Sequence, residues 1–191
     1  KQCPLDAGER SVTGCTATAL AQIMNYHEWP ATATTAIPAY TTYQKQIYCP
    51  ELPSTVFDWE EMEDAYGYED EAPAVAALMR YCGQAIQADY TKDATGATLS
   101  MSAYALKTYF DYDPRVKRRD LRGYTVDDWE EIIYSELQAG RPVLHAGYSM
   151  TAGHAFVCDG YDGNGLYHFN WGWGGAYDGY FKLALLNPET G

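Results

Sequence analysis

The hydrophobic pattern of this chain changes its period once, after Gly140. Before that residue the apolar positions recur mostly at helical spacing, and after it four short segments alternate apolar and polar residues. Helices grouped in one part of a chain and strands in the other are typical of an α+β fold and disfavour a wound parallel sheet. The sequence therefore predicts a helical part over residues 1–139 and an antiparallel sheet over residues 140–191.

Punctuating residues divide each part into elements. Helices are predicted over residues 15–27, 56–66, 72–83, 100–110 and 126–140, and a short strand over 84–91. Gly83 and Gly140 are the expected C-terminal stops of the third and fifth helices. The sheet strands are predicted over 141–149, 154–162, 165–172 and 179–185, with the hairpin turn DGNG at 162–165.

The charge of the chain excludes several classes of partner. Its 191 residues carry 13 basic and 26 acidic side chains, which gives a formal charge of −13. Nucleic acid and anionic membrane surfaces are therefore not expected as partners. No apolar run approaches the roughly 18 residues of a membrane span. The acidic, Tyr- and Gly-rich composition favours a secreted protein, and the opening KQCP suggests a processed or excised segment.

One cysteine stands where a helix is expected to begin. Cys15 directly follows a glycine in TGCTATALAQIM, so its thiol would meet unpaired backbone N–H groups and the positive end of the helix dipole. That setting favours the thiolate, which is the nucleophilic form. The other four cysteines are expected to be mostly buried free thiols, and an odd total leaves at least one unpaired: Cys3, Cys49, Cys82 and Cys158.

A nucleophilic thiolate needs a histidine partner near neutral pH. Three of the four histidines are expected to be structural, at a helix C terminus or inside strands: His27, His145 and His168. His154 follows a glycine at the start of a predicted strand and is the preferred candidate. It lies four residues before Cys158, but a strand offers no obvious third or fourth ligand, so no metal site is predicted.

The spacing of these residues fits a papain-type arrangement. His154 follows Cys15 by 139 residues, and Asn170 follows Cys15 by 155. An asparagine side chain can hold an imidazole in its useful tautomer without adding charge. Asn170 could also be a simple turn or strand-end residue, which is the less favoured alternative.

Three blocks of sequence carry a family resemblance. TGCTATALAQIMNYHEWP, GHAFVCDGYDGNGLYHFNWGWGG and DGYFKLALLNP follow one another in the chain. Together they resemble the streptopain family of secreted bacterial cysteine peptidases, which belongs to the papain-like group. The resemblance implies a single peptidase domain over 1–191 with a papain-like two-lobed fold, a helical lobe carrying the Cys and a sheet lobe carrying the His.

The resemblance also implies roles for individual residues. Cys15 would be the nucleophile and His154 the base and then the acid. Asn170 and Trp171 stand where the family places the residues that orient and shield the histidine, and the sequence leaves open whether the amide or the indole touches the ring. Three further residues would lie along the substrate: Gly153, Thr95 and Gly96.

Other family properties follow as expectations. A bulky apolar residue two positions before the cut is the implied preference, protein and peptides are the implied substrates, and no cofactor or metal is implied. Family members are made as zymogens with an N-terminal prosegment. The oxyanion-hole glutamine of the family is expected upstream of Lys1, and the usual last strand beyond Gly191, which suggests a chain truncated at both ends.

Two other functions remain open from the sequence. The same Cys-His-Asn set supports acyl transfer to amines, although acyltransferases usually carry an aspartate as the third member, which favours hydrolysis. The aromatic strip NWGWGGAYDGYF could instead form a peptide- or sugar-stacking surface of a non-catalytic binding module. Core and cleft-wall packing is the simpler interpretation of that strip.

Overall fold

The computed structural model describes residues 2–63, 65–67, 71–148 and 152–184. The chain divides into two compact units, residues 1–118 and 119–191. The described part of the first unit forms three helices: α1 (Cys15–His27), α2 (Pro73–Ala85) and α3 (Leu99–Tyr109). It also forms two small antiparallel hairpins, β1 (Leu5–Asp6) with β2 (Glu9–Arg10), and β3 (Tyr40–Thr41) with β4 (Tyr48–Cys49).

The second unit is one helix on an antiparallel sheet. Helix α4 (Val126–Gln138) precedes β5 (Val143–Tyr148), β6 (Gly153–Tyr161), β7 (Tyr167–Asn170) and β8 (Gly179–Phe181), which lie side by side in chain order. The four predicted strands and the 162–165 turn are confirmed, and the predicted strand ends at 149 and 185 lie outside the described residues. Among the described helices, none has the length and apolarity needed to cross a bilayer.

Packing between α1 and α2 fixes the helix that begins at Cys15. Leu20 and Met24 on α1 are fully buried, as are Leu78 and Cys82 on α2, and the Cys82 Sγ lies 3.6 Å from the Met24 Sδ. Burying each such side chain contributes about 1.5–3 kcal/mol. The N terminus of α1 therefore rests on a rigid support.

The core of the second unit is rich in aromatic side chains. Its buried side chains come from the sheet and, in one case, from α4: Ile133, Phe156, Cys158, Tyr167, Phe169, Trp171 and Phe181. The side chain of Thr125 starts α4 by accepting a hydrogen bond from the Asp128 N–H at 3.1 Å. Because α4 packs on this sheet, it belongs to the second unit, and the division falls before α4 and not at 139/140 as predicted.

The helix predicted over 56–66 is wrong. The described residues of that segment form a single turn at 59–61 and otherwise extended chain, while residue 64 lies outside the description. Its aromatic side chains contact other elements: the Trp59 indole donates to the Pro30 carbonyl at 3.2 Å, and the Phe57 ring lies 5.5 Å from that of Tyr81. Tertiary packing thus overrides the helical spacing of the acidic and apolar residues.

The predicted stop of α2 at Gly83 and the strand over 84–91 are also wrong. Helix α2 continues to Ala85, and a Cβ at Gly83 would lie 2.0 Å from the Tyr90 hydroxyl oxygen. Gly83 is therefore required for close packing inside the helix. The buried Gln84 amide donates to two proline carbonyls, and the strand pairing described within residues 84–91 is one isolated bridge, Asp89 with Gly96.

His145 gives the second unit a predicted dependence of stability on pH. Its ring on β5 lies 5.5–6.0 Å from the rings of Trp129, Phe156 and Phe169, and desolvation lowers its pKa from 6.5 to about 4. Between these pH values the unfolded chain binds more protons than the folded one, so stability falls on acidification. We expect urea unfolding at pH 7 and pH 4.5 to show about 2 kcal/mol more loss for the wild type than for His145→Gln. Equal losses in the two proteins would contradict this.

Candidate active site

Cys15 is the first residue of α1, as predicted. Gly14 precedes it with φ 88° and ψ 144°, and among the described residues no side chain caps this helix end and no acidic side chain lies in the first turn. The first backbone N–H groups of a helix have no partner within it. The half-exposed thiol of Cys15 therefore stands at the positive end of a dipole that nothing else in that turn neutralises.

The loop that contains Thr95 lies directly against Gly14. The Thr95 hydroxyl donates to the Val12 carbonyl at 2.7 Å, and a Cβ at position 14 would lie 2.8 Å from the Thr95 carbonyl oxygen. Gly14 is therefore required both by its positive φ and by this close approach. Thr95 thus contacts the residue that precedes Cys15, whereas Gly96 is exposed and its carbonyl accepts from the Asp89 N–H.

Burial separates Cys15 from the other four cysteines. All five are described and are free thiols, and Cys15 alone among them is not buried. Desolvation raises the pKa of Cys49 and Cys82, and it raises the pKa of Cys158 to about 12. These buried thiols stay protonated near neutral pH, so Cys15 is the thiol suited to react with a substrate.

His154 is held by a main-chain carbonyl. It is the second residue of β6, and its Nε2 lies 2.8 Å from the Trp171 carbonyl oxygen. A carbonyl oxygen can only accept a hydrogen bond, so Nε2 must carry a proton. In the neutral ring the Nδ1 nitrogen is then the unprotonated one and can act as a base.

A third group, beside the amide and the indole considered from the sequence, contacts the His154 ring. The contact to the ring nitrogen comes from the main chain of Trp171, while its indole N–H is buried with no hydrogen-bond partner among the described residues. The Asn170 Oδ1 accepts from the Gly172 N–H at 2.9 Å, and the Asp178 Oδ1 accepts from the Trp171 N–H at 2.8 Å. The sequence analysis missed Asp178, for which the DG pair opening the last strand was the available signal.

Aromatic rings surround the imidazole within the second unit. The His154 ring stacks on Trp173 at 4.7 Å, with Phe156 and Trp171 farther away at 5.9 and 6.3 Å. Trp171 is almost fully buried, whereas Trp173 is 45% exposed. The ring is therefore shielded from water on this side without being enclosed.

The remaining sequence candidates make local contacts. A Cβ at Gly153 would lie 2.8 Å from the exposed Tyr148 ring on the paired strand, so a larger residue there would displace that ring. His168 pairs with Asp159 at 2.5 Å, and His27 lies in the last turn of α1. In the described ranges, no three His, Cys, Asp or Glu side chains are grouped as a metal site.

Comparisons with known proteins complete the description. Residues 1–181 match the Peptidase C10 family model. The chain is 35% identical over 194 aligned residues to streptopain of Streptococcus pyogenes, an alignment that covers 96% of this chain and 48% of that protein. The chain thus spans about half the length of the curated relatives it matches.

Solved structures agree with the sequence match. The active wild-type interpain A cysteine protease of Prevotella intermedia has a TM-score of 0.84 and 36% identity, over 98% of this chain and 81% of that one. A prointerpain A fragment from the same organism has a TM-score of 0.81 and 35% identity, over 97% and 61%. The predicted α+β, papain-like fold and the predicted streptopain resemblance are confirmed, and this chain belongs to the Peptidase C10 family.

Proposed function

We propose that this chain is the catalytic domain of a secreted cysteine endopeptidase, a single papain-like domain whose helical lobe supplies Cys15 and whose sheet lobe supplies His154. The observation that supports the proposal most strongly is the hydrogen bond from the His154 Nε2 to the Trp171 carbonyl, because it leaves Nδ1 of the neutral ring as the base. The half-exposed thiol at the start of α1 and the membership of a peptidase family support the same conclusion.

The proposed reaction proceeds through a thioester. The Cys15 thiolate, paired with the His154 imidazolium, attacks the scissile carbonyl carbon, and the imidazolium Nδ1 then protonates the departing amine. Neutral His154 next removes a proton from water, whose oxygen attacks the thioester, and the acid product leaves as the thiolate is restored. Asn170 and Trp171 keep the ring in place, and no metal or organic cofactor takes part.

Substrate preference is the finer part of the proposal. A cavity of about 340 Å³ in the first unit is lined by Gly96 and its neighbours, including the apolar side chains of Ile86, Ala97 and Met101. It lies on the loop whose Thr95 contacts Gly14, which supports Thr95 and Gly96 as substrate-binding residues. With Gly153 they would line the path of a peptide that carries a bulky apolar residue two positions before the cut.

Two further properties belong to the same proposal. The prointerpain A neighbour supports an N-terminal prosegment that accompanies the peptidase domain in a zymogen. Protein and peptide substrates, and neither nucleic acid nor membrane, are the proposed partners.

Labelling with an epoxysuccinyl peptide, a thiol reagent for cysteine peptidases, tests this function. We expect stoichiometric modification at Cys15 with the four buried thiols unmodified, and a Cys3→Ser control should label as the wild type does. A fluorogenic peptide with Leu or Phe two positions before the cut should be cleaved at least about tenfold faster than one with Asp there. Cleavage that requires an added amine would indicate an acyltransferase. Inertness in both assays would indicate a binding module or an unprocessed zymogen, and an N-terminal sequence of the purified protein tells these two apart.

A further inference from the structure

The carbonyl that holds His154 is itself held by side chains on both sides. The Trp171 N–H donates to the Asp178 Oδ1 at 2.8 Å, and the Gly172 N–H donates to the Asn170 Oδ1 at 2.9 Å. The Trp171 carbonyl, which lies between these two N–H groups along the chain, accepts from the His154 Nε2 at 2.8 Å. Two consecutive peptide groups are thus fixed by three hydrogen bonds.

The backbone of this loop does not hold that geometry by regular pairing. Between β7 and β8 four residues have positive φ, from 63° to 85°: Gly172, Gly174, Gly175 and Tyr177. A left-handed conformation is unfavourable for a tyrosine and must be maintained by its surroundings. Asp178 spans the base of the loop, since the next residue, Gly179, already pairs with Phe169.

We infer that Asp178 is a positioning residue for His154, because its carboxylate fixes the Trp171 main chain and thereby the carbonyl that sets the tautomer of the ring. Asn170 acts on the next peptide group, the one that contains the Trp171 carbonyl, by accepting from the Gly172 N–H. This inference rests on the proposed function, in which His154 is the base.

The physical effect has two parts. A carbonyl displaced by about 1 Å no longer keeps the ring in a reactive orientation, and misplacement of that size can cost about 100-fold in rate. A peptide group whose N–H is engaged by Asn170 also has a more polarised carbonyl, which strengthens its bond to Nε2. Both parts keep the His154 ring in the orientation in which Nδ1 can accept and return a proton.

A matched control lies in the same unit. The Asp162 Oδ1 accepts from the Asn164 and Leu166 N–H groups at 2.7 and 2.9 Å in the turn between β6 and β7. That carboxylate holds a turn much as Asp178 does, but none of its hydrogen bonds leads to His154. Asp162→Ala therefore measures the cost of losing a turn-holding carboxylate alone.

The kinetic experiment compares Asp178→Ala, Asp178→Asn and Asp162→Ala with the wild type on a fluorogenic peptide. We expect Asp178→Ala to lose about 10- to 100-fold in kcat at nearly constant KM. When kcat is plotted against pH, the activity of Asp178→Ala should fall off at a lower alkaline pH than that of the wild type. Asp178→Asn keeps an acceptor oxygen and should stay within about threefold of the wild type. An unchanged Asp178→Ala, a loss equal to that of Asp162→Ala, or no rescue by asparagine would overturn the inference.

A second measurement does not depend on activity. Nitrogen-15 NMR of the His154 ring should show a protonated Nε2 with slow proton exchange in the wild type and in Asp178→Asn, and fast exchange in Asp178→Ala. Slow exchange in all three proteins would overturn the positioning role even in an active peptidase. The expected exchange pattern in a protein that cleaves no peptide would keep the positioning role and refute the proposed function.

Discussion

Replacing Cys15 by serine is expected to lower kcat/KM for peptide cleavage by about 10⁴- to 10⁶-fold, the range seen when a covalent nucleophile is removed. Under the proposed function, a serine hydroxyl in this place has neither the acidity nor the nucleophilicity of a cysteine thiol. KM should change little, because the peptide-binding surface is retained. Initial rates of fluorogenic peptide cleavage over a range of substrate concentrations give kcat/KM and KM. The reaction of the slow variant is followed for hours so that its residual rate can be detected.

The control for that prediction is a thiol of the same unit. Cys49→Ser removes a fully buried thiol and should leave kcat/KM within a few-fold of the wild type, at some cost in stability. Cys15→Ser should unfold at the wild-type urea concentration, since its side chain is half-exposed. Peptide cleavage retained by Cys15→Ser would refute the assignment of the nucleophile.

Replacing Gly14 by alanine is expected to be the most damaging single-methyl addition near the site. At φ 88° and ψ 144° a non-glycine residue is strained by about 1–3 kcal/mol. The new Cβ would also lie 2.8 Å from the Thr95 carbonyl oxygen, and overpacking of this kind costs about 1–3 kcal/mol. We expect urea unfolding to show a total loss of about 2–6 kcal/mol, with kcat reduced because the start of α1 shifts.

Gly8 provides the comparison for this substitution. It has the same φ of 88°, but a Cβ there would meet no atom within 4 Å, so Gly8→Ala tests backbone strain without the contact. Its expected loss is about 1–2 kcal/mol, with catalysis unchanged. The contact cannot be relieved by changing the Thr95 side chain, because its closest atom is main-chain oxygen. Equal losses of unfolding free energy in Gly14→Ala and Gly8→Ala would show that the close approach of Thr95 to position 14 does not affect stability.

The elements were predictable where the local sequence and the packing agree. Helix α1 begins at a cysteine after a glycine and ends at His27, as the spacing predicts, and the alternating segments after Gly140 became the four-stranded sheet. Residues 56–66 carry a helical pattern, but Phe57 and Trp59 contact partners distant in sequence, which no local pattern records. Gly83 is similar, because it is explained by a tyrosine seven residues away and not by a helix end.

The candidate site divides in the same way. Cys15, His154 and Asn170 could be proposed because thiol, imidazole and amide groups are visible in the sequence. The acceptor on the His154 ring could not, because a backbone carbonyl is present in every residue and only the fold selects the one at Trp171. Asp178 was missed for the same reason, since it acts by holding main chain and not by touching the ring.

The proposal that Cys15 and His154 act as one catalytic pair is tested most directly by the rate at which iodoacetamide alkylates Cys15 at pH 7 in the wild type and in His154→Ala. Because iodoacetamide reacts with the thiolate, and a histidine that takes the thiol proton promotes that form, we expect alkylation of Cys15 in His154→Ala to be slower by about tenfold or more. Equal alkylation rates in the two proteins would contradict the account.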